Sequence, residues 1–588
     1  MPFLFLVSLI FAAPVDAEWI KLLHFEKTVT GTYHSRASSN NFFSSLERSP
    51  ESELVGFLKS YDLLPVDDNH VICKFPLRAK YVVKKGYKKA IINPNCPTLQ
   101  KFKDTLAPVG VSLIFSSYFL DSPASTFGHT FLRLRRNTPK IASEHQVELL
   151  DHGMGYAANA TTNNPLLYSV MGFIGGFDGV FSLVPYYYKV REYNDAESRD
   201  LWSYDLNMTD KEMEDLVDHL WEVGQATFPY YYLTENCSYY ILEILEIVTC
   251  RKLLNRIPFW IIPVDTIKAT VEEPGFVKDV SYRPSLKSQF EERVKLLTNE
   301  EKKQVRSLKF ESSWSTLQID AAIEYLELKY PIEIRTEGSE EFKQRDFFLS
   351  ERAKRRETSK LEVPTPERPD RIHPSNRAGV HLGYNEFKKG FLGFEQRFAY
   401  YDPLDPPNAK PPFSEIIFMD LAAKYFEEDK DFAVEKSDLV RVKIRNPFTL
   451  WLSPMSYSIT FGGTRDSILC QDCYVFRVHY DFGFSVKLSD HHLLYTGLYN
   501  DFRSSAKMDR GFGYYLGPIV EMTNYWLPKL RSQIRGVYLD AADRDVDAFW
   551  DLKAEVRWDM VKDKISLSAS HSWINETTES RLGLYYYY

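Results

Sequence analysis

The sequence predicts an α+β chain that ends in an antiparallel β-barrel, and three observations carry that reading. Helix-opening signatures, Thr209 with Glu212 and Thr298 with Glu301, punctuate the first part of the chain. Val111 to Phe119 reads as a buried strand, and Thr130 to Arg136 alternates like a second. Beyond about residue 378 the pattern changes to long runs in which apolar and polar residues alternate one by one.

At 588 residues the chain is too long for one core. Phe3 to Ala13 is an almost unbroken apolar run, too short to span a bilayer as a helix. Val15, Asp16 and Ala17 follow with the small residues that signal peptidase reads, so residues 1–17 are expected to be an export signal, although its start has no Lys or Arg after Met1. Residues 18–105 mix short helical patterns with polar loops and form an expected N-terminal α+β or helical domain. Within it, Ser49-Pro-Glu-Ser-Glu53 opens a helix through Leu54 and Leu58. Residues 106–336 form the next expected domain. Residues 337–377, charged and then studded with Pro364, Pro366, Pro369 and Pro374, read as a linker. Residues 378–588 are the strand-rich region.

There, Tyr474, Phe476, Val478, Tyr480, Phe482, Phe484, Val486 and Leu488 alternate with residues that are nearly all polar or glycine. Leu552, Ala554, Val556, Trp558 and Met560 alternate with Asp551, Lys553, Glu555, Arg557 and Asp559. Period two sustained this long means half-buried antiparallel strands. They can close into a membrane barrel with the apolar face on lipid, close into a soluble barrel with that face inward, or stack as a sandwich, and alternation alone does not choose.

A formal charge of −8 offers no basic face for nucleic acid, and that class is set aside. Of the 6 cysteines, Cys73 and Cys96 are candidates for a disulfide, and Cys470 and Cys473 for a redox pair or a loop disulfide. The Cys-x-x-Cys spacing has no second pair, so zinc is not read, and no metal or cofactor is expected.

Two segments carry chemistry. In Asp121-Ser-Pro-Ala-Ser-Thr-Phe-Gly-His129 a turn-forming stretch delivers a histidine to the start of a strand, with Gly128 beside it. In Asn236-Cys237-Ser238-Tyr239-Tyr240, followed by Ile241, Leu242, Ile244, Leu245 and Val248, the helical spacing puts Cys237 in the first turn of a buried helix. A helix N-terminus favours a thiolate, a histidine from elsewhere in the fold takes the thiol proton, and first-turn amides stabilise an oxyanion.

The segments Ser122-Pro-Ala-Ser-Thr-Phe-Gly-His129 and Asn236-Cys-Ser-Tyr239 resemble the signature of the Lnb-type family, whose periplasmic domain is found in bacterial lipoprotein N-acyltransferases. Gly172 to Gly179, Glu192-Tyr-Asn194, Ser198-Arg-Asp-Leu-Trp202, Cys73 to Arg78 and His373 to Arg377 fit that pattern too. The order of histidine before cysteine is also similar to permuted papain-like enzymes of the NlpC and lecithin:retinol acyltransferase types. The chain's end, Leu582 to Tyr588, resembles the closing strand of an outer-membrane barrel. The resemblance implies a permuted papain-like catalytic domain with Cys237 as nucleophile and His129 as base. His152, or Asp151, on the next strand would be the third member, and Asn236, Ser238, Ser125 and Gly128 would support the site. Tyr193 and Arg199 are the expected substrate contacts, with a structural Arg199–Asp200 ion pair as the alternative for the arginine. The implied activity is that of an envelope thiol acyltransferase or hydrolase acting on phospholipid or lipoprotein, periplasmic, with its barrel in the outer membrane. A cysteine amidase acting on peptidoglycan, or a non-enzymatic barrel protein with a binding domain, are the competing readings.

Overall fold

The computed structural model describes residues 15–588 apart from Val29, Leu46, 119–126, 138–147, Leu149, Asn163, 258–259, 358–360, Leu469, 471–472, Asp509 and 542–546. The expected signal segment up to residue 14, and Ser125 with it, lie outside the described residues. Asp16 caps a helix over Ala17–Leu22 and accepts the Tyr81 hydroxyl at 2.9 Å. The chain divides into two units, Met1–Gln289 and Phe290–Tyr588.

The first unit is built on an antiparallel sheet of seven strands. Their spatial order is Thr227–Tyr230, Phe177–Pro185, His152–Ala158, His129–Arg136, Pro108–Ser116, Leu201–Leu206 and Val277–Arg283. The His129 strand is therefore central, and Phe131, Leu132 and Leu134 on it are fully buried. Because strand residues point to alternate faces, His129 and Phe131 face Tyr193, with ring centroids 5.4 Å and 5.6 Å away. Thr130 faces the other way, onto the helix Cys237–Thr249, where its hydroxyl meets that of Ser238 at 2.8 Å.

Helices of the N-terminal segment pack beside this sheet through a buried charge cluster. Glu222 accepts the backbone amides of Leu77 and Arg78, at 2.7 Å and 3.1 Å, and the Arg78 guanidinium lies between Glu222 and Glu53. All three side chains are sealed from solvent, so each charge depends on the others. Cys73 and Cys96 are joined in a disulfide with Cα atoms 5.4 Å apart. The bridge closes a loop 23 residues long, so Cys73→Ser is expected to destabilise this unit by about 3 kcal/mol, read as a lower urea midpoint at unchanged slope.

The second unit opens with helices. Part of the expected linker is one of them, Glu340–Ala353, which Ser339 caps and whose Phe348 is buried against Trp314. Phe348 is its buried residue, and through it a stretch read from composition as a connector packs as an element.

The barrel that follows closes on itself through twelve antiparallel strands from Arg377–Asn385 to Thr577–Tyr587. The last strand pairs with the first, Arg377 opposite Tyr587. Tyr474, Phe476, Tyr480, Phe482, Phe484, Val486 and Leu488 all point outward and are exposed. Between them Arg477, His479, Asp481 and Ser485 point into the lumen. Leu552, Val556, Trp558 and Met560 repeat the outward series. A soluble barrel needs the opposite arrangement, so the inward-apolar reading and the sandwich are both corrected. An apolar exterior around a charged interior is what a bilayer requires of a barrel. Cys470 and Cys473 form the second disulfide, beside a hairpin of the barrel.

Candidate active site

Asn236 sets the geometry at Cys237. Its side-chain oxygen accepts the amides of Ser238 and Tyr239, at 3.0 Å and 3.2 Å, and so caps the helix. Its nitrogen donates to the carbonyls of Tyr232 and Ile261 at 2.9 Å and 2.6 Å. The side chain is therefore saturated and positions the turn that carries the thiol. This also corrects the oxyanion expectation, because the cap occupies two of the first-turn amides. Cys237's own amide is not one of the two.

The Cys237 thiol is 3% exposed. It lies 3.8 Å from the Ser238 hydroxyl and is hydrogen-bonded by the Thr130 backbone amide. Thr130 directly follows His129, so the amide that meets the thiol belongs to the residue next to the histidine. Burial pushes the thiol above its ordinary range, while the Thr130 amide, Ser238 and the Arg199 charge pull part of the way back. His129 is held well below its ordinary value of 6.5, by burial first and then by the nearby charges of Arg199 and Lys189. At neutral pH the pair is thus a thiol and a neutral imidazole, which corrects the expected thiolate at the helix N-terminus: desolvation outweighs the helix dipole here.

Gly128 has φ +89°, and a Cβ there would come within 2.5 Å of the Phe115 ring. Only glycine lets the chain enter the His129 strand at that point. Gly172 is equally constrained: a Cβ would meet the Tyr232 ring at 2.4 Å, and its carbonyl accepts the Tyr232 amide at 2.9 Å. The Gly172 to Gly179 run is the end of a helix over Pro165–Ile174 and the start of the strand Phe177–Pro185, and Gly172 packs on the loop that leads to Cys237.

Tyr193 lies on a π-helical turn over Val190–Ala196, and its ring meets those of His129 and Phe131. Single π turns recur at functional sites. Arg199 is close by but committed. It donates to the carbonyls of Ser117 and Ser116 at 2.6 Å and 2.9 Å and to Glu197 at 2.8 Å, and it is 1% exposed. Three of its five N–H donors are so engaged, and its charge also acts on the site, lowering both the Cys237 thiol and the His129 imidazole. Its ion-pair partner is Glu197, whereas Asp200 accepts the Ser285 amide at 2.8 Å, so the expected Arg199–Asp200 ion pair is corrected.

His152 does not join the site. The register pairs it with Leu134, five residues along the strand from His129. At roughly 3.4 Å per residue that is about 17 Å, beyond any hydrogen bond to the imidazole. Asp151 is occupied by Arg133 at 2.7 Å and by the Arg136 amide at 2.9 Å. The residues that the sequence reading missed are Thr130, Lys189, Tyr156 and Tyr230, the two tyrosines being held above their ordinary range by burial first and near enough to feel a Cys237 thiolate when one forms. Thr130 was legible from alternation, since the neighbour of a strand histidine must face the opposite layer.

Residues 98–273 match the family model of the Lnb N-terminal periplasmic domain. Residues 15–85 and 366–588 match two domains of unknown function, DUF7843 and DUF7840. No curated protein matches the chain. Among solved structures the barrel is similar to the KdgM porin, at 9% identity over 36% of this chain and 99% of that one, with a TM-score of 0.24. It is also similar to Omp33 of Acinetobacter baumannii, at 12% identity over 37% and 99%, TM-score 0.21. A third is the NanC porin, at 9% identity over 36% and 98%, TM-score 0.23. The barrel's own apolar exterior carries the membrane assignment. The chain thus joins a segment that matches the Lnb N-terminal periplasmic domain to a closed twelve-strand barrel, and it belongs to the periplasm and outer membrane.

Proposed function

We propose that the first unit is a cysteine acyltransferase or hydrolase of the cell envelope, with a permuted papain-like arrangement akin to the NlpC and lecithin:retinol acyltransferase types. The observation that carries it is the Cys237 thiol, held at a helix N-terminus against the amide that follows His129. In the reaction, Cys237 Sγ bonds to the ester carbonyl carbon of a phospholipid or lipoprotein as its proton passes to the neutral His129 imidazole. The tetrahedral oxyanion collapses, the ester C–O bond breaks, and the departing alkoxide takes the proton from His129 to leave as an alcohol. An amine or water then attacks the thioester, gives its proton to His129, and releases Cys237, which recovers it. A neutral base and a neutral thiol are what the first step needs. The tyrosines around the thiol favour an apolar acyl chain over a peptidoglycan amide.

Intact-mass measurement after incubation with phosphatidylethanolamine vesicles tests this. An acyl-sized gain mapped to Cys237 and released by hydroxylamine is the expected result. The burial of the thiol favours one other reading, a structural cysteine in a binding domain. No adduct, together with no alkylation of Cys237 by a small reagent even at alkaline pH, would establish that reading instead.

A further inference from the structure

The barrel lumen encloses a cavity of about 370 Å3. It runs from Pro403 and Leu404, at the end where Arg377 opens the first strand opposite Tyr587 of the last, to Ser467, Ile468 and Phe549 at the opposite end. Residues following Asp402 turn into the first end. Asp402 and Asp405 are buried there, bonded to Arg377, Arg397 and Arg557, and Lys410 donates to the Asp405 carbonyl at 3.0 Å.

The charges along the wall are arranged asymmetrically. Arg441 pairs with Asp420 at 2.6 Å, Arg477 with Asp501 at 3.0 Å and Arg503 with Asp466 at 2.8 Å. The three arginine side chains keep 27%, 18% and 14% of their exposure, whereas the three aspartates keep none. The acids are sealed in the wall and the guanidinium groups face the cavity. Lys436 and Arg535 repeat the pattern, at 24% and 27% against 0% for Asp420 and 12% for Asp551. Glutamates also line the cavity, but each lies against a cation: Glu395 on Arg377, Glu415 on Arg441, Glu435 on Arg581 and Glu555 on Arg557. So an overall acidic chain, formally −8, presents a cationic surface inside its barrel.

Guanidinium groups fixed from behind by carboxylates are pre-organised donors. They match phosphate and carboxylate oxygens in planar, two-pronged geometry, and narrow low-dielectric walls concentrate their field. We propose that the lumen is a binding site for a compact polyanion, a molecule with two or more phosphate or carboxylate groups and the size of a small sugar. This does not depend on Cys237.

Calorimetric titration of the full-length protein in detergent micelles, at low ionic strength, tests it. The probes are inorganic pyrophosphate, glucose 1,6-bisphosphate and, as the neutral control, maltose. Saturable binding of either anion, weakened by salt and absent for maltose, is the expected result. Arg477→Gln should then weaken it by about tenfold, the effect of one charge-assisted hydrogen bond. Binding of pyrophosphate alone assigns a free phosphate ligand, and binding of the bisphosphate assigns a phosphorylated sugar. Absence of anion binding, or equal affinity in the variant, overturns the proposal. If Arg477→Gln loses the heat-modifiable migration of a folded barrel, Lys553→Gln replaces it. That lysine lines the cavity with half its side chain exposed, and removing it should weaken binding by at least about threefold. Unchanged affinity there also overturns the proposal.

Discussion

Cys237→Ser is expected to abolish the acyl adduct and to lower acyl release from phospholipid by at least about 10^3-fold. A serine hydroxyl in the same place keeps the neighbours, since Ser238 lies 3.8 Å away and the Thr130 amide still has an acceptor. What it loses is nucleophilicity. The stability change should stay within about 1 kcal/mol, because the replacement neither opens a cavity nor strands a donor. A large fall in activity at unchanged melting temperature therefore isolates the chemistry. The second free cysteine, Cys250, is exposed at the far end of the same helix and serves as the internal standard for thiol labelling. An adduct that survives in Cys237→Ser, or that maps to Cys250, would remove Cys237 from the mechanism.

The pair itself was readable because its signals are local. An asparagine before a helical apolar pattern is a cap, and a glycine before a strand histidine marks a crowded turn; Asn236 and Gly128 occupy those roles. The third member was not readable. Whether His152 or some other residue lies opposite His129 depends on register, and register is fixed by how far residues 137–151 carry the chain before it pairs again, which no local pattern encodes. The expected Arg199–Asp200 pair fails for a related reason. The guanidinium is claimed by carbonyls of Ser116 and Ser117, more than 80 residues away, where a neighbouring strand ends. In the barrel, alternation located the strands, but period two is symmetric between faces. Closure into twelve strands, with Asp551, Lys553, Glu555 and Arg557 inside, broke that symmetry. Composition misled at 340–353, where charge outweighed the Ser339 cap and the two adjacent phenylalanines, Phe347 and Phe348.

His129→Gln should lower turnover by about 10^2- to 10^4-fold, the range of a lost general base, and it should also change how activity and stability depend on pH. In the folded protein His129 is depressed well below 6.5 and Cys237 is raised above its ordinary 9.0. The neutral pair therefore persists across neutral pH, and wild-type activity holds level from there until the pH falls far enough to protonate His129. Because the unfolded chain binds that proton first, the wild type loses stability as the pH falls from 6.5 toward the lower folded value. Glutamine has nothing to titrate. The variant's stability should lack this acid dependence, and its residual activity should lack the wild type's level region. With no base, attack must use the thiolate already present, so the residual rate should climb about tenfold per pH unit through the alkaline range. A variant that keeps both the wild-type rate and its level profile would mean that the proton leaves Cys237 by another route. His129 would then be a packing residue against Tyr193, and the case for acyl transfer would rest on the thiol alone.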